Sequence, residues 1–268
     1  NFTHLEILAY IAAFVVGLSL GLLGAGGSIL TVPILVYLLK LDVVTATTYS
    51  LFIVGLTSLA GGTKSIINGL VSMRIALIFG TPSLVTAFSI RHWLLPEIKQ
   101  DLFAIGRLVI TKDLLLLLFF ALLMIATAYR MIRPLKLKER DTHNYVQVAF
   151  YGVLTGIVTG FLGAGGGFLI IPALVLVLGL PMKKAVGTSL IIITLNTLIT
   201  FFGTMHHVRI DWTLLLTFSA CSITGIFVGL GFNRKVPAEK LKPAFGWFVL
   251  AMGIYIIITE LSALHARG

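Results

Sequence analysis

Gly21-Leu22-Leu23-Gly24-Ala25-Gly26-Gly27-Ser28, with Pro33 five residues on, returns as Gly160-Phe161-Leu162-Gly163-Ala164-Gly165-Gly166-Gly167, with Pro172 in the same relative place. The offset is 139 in both comparisons, 163 − 24 and 172 − 33. At that offset Ala46 meets Ala185, Tyr49-Ser50-Leu51 meets Thr188-Ser189-Leu190, and Ser72-Met73 meets Asp211-Trp212. Self-similarity at a fixed period is the sequence mark of a repeated structural unit. Two tandem repeats are therefore expected over nearly the whole chain.

The glycine clusters sit inside apolar sequence. Of 268 residues, 58% are hydrophobic and 11% charged, with mean hydropathy +1.05, whereas soluble domains carry about a quarter charged residues. The apolar residues come in blocks at about 5–23, 28–39, 43–67, 75–95, 114–132, 146–162, 168–180, 185–205, 212–232 and 244–261. A helix needs about 20 apolar residues to cross a hydrocarbon core, and in lipid its backbone must be satisfied within the segment. The expected fold is an all-α polytopic membrane protein with about ten hydrophobic segments. The second and seventh are short and broken by glycine. The first lacks a basic leader and a small-residue cleavage site, so it reads as a spanning helix rather than a signal peptide.

Net charge is +10, yet Lys and Arg fall in the short connections, where topology signals belong. No polar stretch is long enough to form a basic face for nucleic acid, so none is expected as a partner; the partner surface is the lipid bilayer. One cysteine, Cys221, excludes an intramolecular disulfide and a cysteine metal cluster.

Near the ends of the halves Tyr129 pairs with Tyr255 at offset 126, so the first half carries about 13 extra residues (139 − 126) around 93–112. That stretch, with Pro96, Glu97, Lys99, Asp101 and Arg107, reads as an interfacial loop or amphipathic segment. The domain reading is a first transmembrane repeat over 1–134, a basic linker over 135–144 and a second repeat over 145–268. If the short segments cross, the halves are inverted and the 20 basic residues divide thirteen to seven between the two sides; if they are re-entrant, eleven to nine. The stronger bias favours ten segments and inverted repeats.

Glycine runs break a helix and leave backbone amides without partners. The helix that follows points its first-turn N–H groups and positive dipole end at the break, a place for an anion that needs no Arg or Lys. The expected substrate-binding residues are therefore Gly24, Gly26, Gly27 and Ser28 in the first break, and Gly163, Gly165, Gly166 and Gly167 in the second. Ser50, Thr188 and Ser189, which sit at matching positions, and Asn196, costly to bury without partners, complete the set. Thr45, Thr47, Thr48, Thr194 and Thr197 are expected to bond their own helices. His206 and His207 read as a solvated loop, and Lys64 as an interfacial residue that snorkels. Every acid lies at a segment end or in a loop. Proton pumps and cation exchangers normally keep one inside the membrane, so an anion or neutral solute fits better. No metal or cofactor is expected.

The stretches Gly21 to Pro33 and Gly160 to Pro172, with Ala185-Val186-Gly187-Thr188-Ser189-Leu190, resemble the sulfite/sulfonate exporter family TauE/SafE. The resemblance spans both halves. It implies an inner-membrane permease for small sulfur anions such as sulfite, sulfoacetate or another organosulfonate, or thiosulfate, and leaves a homodimer open. In the first half Thr48-Tyr49-Ser50 stands where the family often has Thr-Ser. Two other readings remain: a non-transporting membrane scaffold, and a transporter of a different small anion or neutral solute. An intramembrane enzyme would need a nucleophile and base at membrane depth, which the sequence does not offer.

Overall fold

A computed structural model describes residues 4–24, 30–32, 34–94, 101–105, 108–132, 145–162 and 167–267. The helices are α1 (His4–Leu23), α2 (Ile34–Leu38, one π turn), α3 (Val43–Ile67), α4 (Met73–Ser89), α5 (Lys112–Ile132), α6 (Tyr145–Leu162), α7 (Gly167–Pro172), α8 (Met182–Thr204), α9 (Trp212–Lys235) and α10 (Ala238–Arg267). Among the described residues, five helices are long and apolar enough to cross a membrane: those over 45–67, 73–94, 182–204, 212–235 and 239–259. Leu8–Leu23 and Tyr145–Gly160 are shorter apolar helices.

The body is helical, as expected, and one correction falls on the stretch around 93–112. Two short strands, β1 (Asp101–Ile105) and β2 (Leu108–Thr111), pair antiparallel in the stretch read as a loop or amphipathic segment. Both strands are short apolar runs, 102–105 and 108–110, with no alternation that would mark a strand in the sequence. Pairing within the hairpin satisfies backbone groups that a loop would leave to water. The last helix also starts earlier than the apolar block. It runs through Pro243, whose missing N–H spares a bond to Glu239 near the exposed end, where water can replace it.

Proline has a second effect on the short segments. Pro172 ends α7, and the chain widens into a π turn over Ala173–Val177, with Leu178 N–H on the Ala173 carbonyl at 3.1 Å and Leu180 N–H on Leu174 at 2.9 Å. In α2 the bonds run from Leu39 to Ile34 and from Leu41 to Leu35, at 3.4 and 3.2 Å. Each pair is displaced by 139 (173 − 34, 174 − 35). The left-handed residues that follow, Lys40 at φ 53° and Gly179 at φ 68°, are displaced by 139 as well. A π turn inside a helix is uncommon and concentrates at functional sites.

Glycine decides how the long helices pair. A Cβ on Gly17 would land on the Ser222 carbonyl, and one on Gly21 on the Ile226 carbonyl, while Gly225 and Gly229 press on Phe14 and Leu18 in return. Numbers rise together, so α1 and α9 run parallel. In the same way Gly152, Gly156 and Gly160 of α6 lie against the carbonyls of Phe79, Ser83 and Ala87, the last two with virtual Cβ distances of 2.5 and 2.9 Å, and α4 and α6 are parallel. The other two pairs are antiparallel. Gly55 meets Leu198 and Gly62 meets Ile191 between α3 and α8; Gly246 meets Ile132 and Gly253 meets Ala121 between α10 and α5. Apolar side chains give no net drive to associate in lipid, so close backbone approach supplies the attraction.

The pairing places basic residues at one end. Lys64, Arg74, Lys183, Lys184, Arg234 and Lys235 lie where α3 and α9 finish and α4 and α8 begin, and Lys183 Nζ donates to the Arg234 carbonyl at 3.0 Å. Lys40, Asp42, Arg209 and Asp211 lie at the other end.

A Gly17→Ala substitution should lower the stability of the detergent-purified protein by about 1–3 kcal/mol through overpacking. Gly231→Ala is the control, since a Cβ there meets nothing within 4 Å; it should be neutral or stabilise by about 0.5–1 kcal/mol. Thermal unfolding midpoints of the two variants decide the point, and equal shifts would contradict the packing described.

Candidate functional site

The first glycine break begins where α1 ends. Gly24 N–H closes the helix on the Leu20 carbonyl at 2.7 Å, and φ +78° turns the chain away. L side chains rarely adopt that conformation, and a Cβ here would also meet Val186 Cα at 2.9 Å and Ser189 Oγ at 3.0 Å. Glycine is required twice over. Because its N–H is committed, Gly24 serves as the turn and not as an amide donor. Gly26, Gly27 and Ser28, and Gly163, Gly165 and Gly166 in the second break, lie outside the described residues; Gly167 is the first residue of α7.

Carbonyls at the end of α1 need partners too. Asn233 of α9 supplies one, its Nδ2 donating to the Leu22 carbonyl at 2.6 Å. Ser189 Oγ shares its one proton between its own Val186 carbonyl at 2.8 Å and, more weakly, the Gly24 carbonyl at 3.3 Å. Both donors come from the second half of the chain. The first break is thus held by α8 and α9, and Ser189 is placed directly against it.

Antiparallel packing of α3 on α8 separates the expected side chains by depth. Gly62 faces Ile191, which puts Ser189 level with about residue 64 of α3, fourteen residues from Ser50. At 1.5 Å per residue the two serines are roughly 21 Å apart along the pair. They cannot grip one small anion together. Asn196 falls midway: it is 4% exposed, its Nδ2 donates to Ser83 Oγ at 3.2 Å, and its Oδ1 has no partner. Ser58, Ser219 and Ser222, all buried, likewise have hydroxyls without partners. Buried polar groups are ordinarily satisfied, so these orphan atoms mark the middle of the bundle as polar. Periodicity hides them, because Ser83, Ser219 and Ser222 lie on the glycine-bearing, close-packed faces of their helices and read as packing residues.

Thr188 is fully buried and its Oγ1 accepts from Ser72 N–H at 3.0 Å. Ser50 is buried in α3. Thr194 and Thr197 bond the carbonyls four residues back, each at 2.7 Å, as expected of membrane-helix hydroxyls. His206 is exposed in a short turn over Met205–His207, and Lys64 is exposed at the end of α3.

Comparison with known proteins gives a consistent result. The model of the family described as Sulfite exporter TauE/SafE matches residues 9–256. A probable membrane transporter protein of Xylella fastidiosa strain Temecula1 is 32% identical, covering 94% of each chain. The probable membrane transporter protein YdhB of Bacillus subtilis is 28% identical over 89% of this chain and 94% of its own. A probable membrane transporter protein of Methanocaldococcus jannaschii is 25% identical over 96% and 97%.

Asn233→Ala should destabilise the protein by about 1–2 kcal/mol, since it strips a buried carbonyl of its donor. Asn233→Asp should not rescue it, because a carboxylate has no N–H to give. Chemical or thermal unfolding of the three proteins side by side tests the cap; a silent Asn233→Ala would mean the end of α1 is satisfied otherwise.

Proposed function

This chain belongs to the sulfite exporter TauE/SafE family and is a multi-pass membrane transporter, not an enzyme; from that premise we propose that it carries small sulfur-containing anions across the plasma membrane by alternating access. The observation that carries the proposal is the first break, where a helix ends at a left-handed glycine and a hydroxyl of the other half, Ser189, sits against it. The amides after such a break hold an anion by hydrogen bonds and helix dipole. The cargo is sulfite, sulfoacetate or another organosulfonate, or thiosulfate.

The polar groups lie at three depths along α3 and α8: Ser189 with the first break, Asn196 with Ser83, and Ser50 on α3. An anion moving along the pair meets polar groups at each of these levels, about 10 Å apart at 1.5 Å per residue. In the sequence, Gly163, Gly165, Gly166 and Gly167 are the counterparts of the first break, and Ser50 is the counterpart of Ser189.

The two halves are inverted repeats with ten segments. Matched residues Gly17 and Gly156 meet matched residues Ser222 and Ser83, and both offsets are 139. Helices α3 and α8, counterparts in sequence, run antiparallel, which is what inversion requires. α1 is parallel to α9, and α9 begins beside the beginning of α3, so α1 and α3 run the same way and the short segment between them returns across the membrane. With the lysine-rich end in the cytoplasm, α1 and α10 place both termini outside. Inverted-repeat transporters move one bundle against the other around a site of this kind.

The test is thermal stability of the purified protein against sulfite, thiosulfate, sulfoacetate, taurine, sulfate and chloride at equal ionic strength. A ligand at 100 times its Kd should stabilise by about 2.7 kcal/mol. We expect a sulfur anion to do so, and Gly27→Leu or Gly166→Leu to abolish both the shift and flux in proteoliposomes. If only chloride or nothing stabilises, the cargo class is wrong; if a sulfur anion stabilises both variants unchanged, the glycine breaks are not the site.

A further inference from the structure

Two hydrogen bonds at opposite ends of the molecule are copies of each other. At one end Asp211 N–H donates to the Tyr49 hydroxyl at 2.6 Å. At the other, Ser72 N–H donates to Thr188 Oγ1 at 3.0 Å. Acceptors and donors are each displaced by 139, since 188 − 49 and 211 − 72 agree. Asp211 and Ser72 are the N-cap residues immediately before α9 and α4. Each bond therefore ties a central helix, α3 or α8, to the start of a flanking helix packed tightly through glycine onto a partner, α1 or α6.

The ends are not equal. Tyr49 also donates to the Arg209 carbonyl at 3.3 Å, so it clasps the loop before α9 from both sides. Asp211 stiffens that loop further by accepting from Thr213 and Leu214 N–H at 3.0 and 3.1 Å. Phe52, one turn from Tyr49, packs on Phe201 and Trp212 with ring centroids 4.9 and 5.9 Å apart. At the Thr188 end the described bonds to the loop are fewer: one from Ser72, which makes no side-chain cap for its helix.

We propose that Tyr49 and Thr188 are the two gate residues of the transport cycle, each hydroxyl latching one end shut, and that the weaker Thr188 latch sets a resting state that opens first at the lysine-rich face. The flanking pairs α1/α9 and α4/α6 are rigid because their backbones touch, so motion between states is concentrated where they meet α3 and α8. A latch at each end has to break in turn. The aromatic hydroxyl in the first half, where the second half has threonine, is then a difference with a purpose: it reaches far enough to hold the loop by two bonds.

The inference rests on the alternating-access reading above, and its test needs no substrate. In a Cys221→Ser background, single cysteines introduced by Val71→Cys or Val208→Cys, both half-buried and beside the Thr188 and Tyr49 latches respectively, are reacted with a bulky maleimide in detergent. The Val71→Cys reporter is expected to label faster. Tyr49→Phe should accelerate labelling at Val208→Cys by roughly fivefold or more for the bonds lost and leave or slow Val71→Cys. Thr188→Val should do the reverse, and Thr188→Ser should restore the wild-type rates. Monodisperse variants with unchanged rates, or equal acceleration at both ends, would overturn the proposal. Should either variant fail to fold, the other end carries the same test. A sulfur anion that binds while the rates stay fixed defeats the latches and not the cargo. Rates that shift as expected in a protein no sulfur anion stabilises defeat the cargo and not the latches.

Discussion

Glycine laid directly on a neighbouring carbonyl is the contact on which the rest of this protein depends. In a soluble bundle, water would press the helices together; in lipid it does not, and attraction has to come from atoms in close contact. At Gly17 and Gly156 the absence of a side chain lets two backbones approach until Cα hydrogens face carbonyl oxygens, a weak bond that gains by repetition. Each of the two crossings uses several such glycines in register. The outcome is two stiff pairs, α1 with α9 and α4 with α6, flanking a central pair of opposite direction. Buried serines without partners lie on the central pair, at Ser58, and on the glycine-bearing face of α9, at Ser219 and Ser222.

The same economy governs where the chain departs from helix. Non-helical backbone at membrane depth survives only if protein or enclosed water satisfies it. The end of α1 meets that condition through side chains from the other half, Asn233 and Ser189, so the first break is a property of the whole bundle and not of its own segment. The π turns in α2 and after α7 meet it internally, with longer rings in place of regular ones. The first half does not by itself carry the side-chain donors that the end of α1 uses.

Much of this was legible before any coordinates. The glycine clusters, the prolines and the blocks of apolar length identified a membrane protein of helices and its family. The matched pair Tyr49 and Thr188 was visible at offset 139. What those two side chains touch was not, because both lie in unremarkable polar stretches and their partners are backbone N–H groups of distant loops. Ser83, Ser219 and Ser222 were missed for a similar reason: on a face of small residues, a serine that packs and a serine that lacks a partner have one spelling. The hairpin at 101–111 was missed because two short strands have too few residues to show a period.

Sequence alone determined composition against solvent, segment length, the positions where helix cannot continue and the spacing between equivalent residues. These are local properties, since chain stiffness, a missing N–H and a missing Cβ act within a few residues. Tertiary structure alone decided depth and direction. Ser50 and Ser189 match in the sequence at offset 139, yet antiparallel packing of α3 on α8 sends them toward opposite ends, and Gly24 meets Ser189 only because α1 descends beside α9. Which side chains converge is set by the direction in which helices pass one another, and no single segment contains that information.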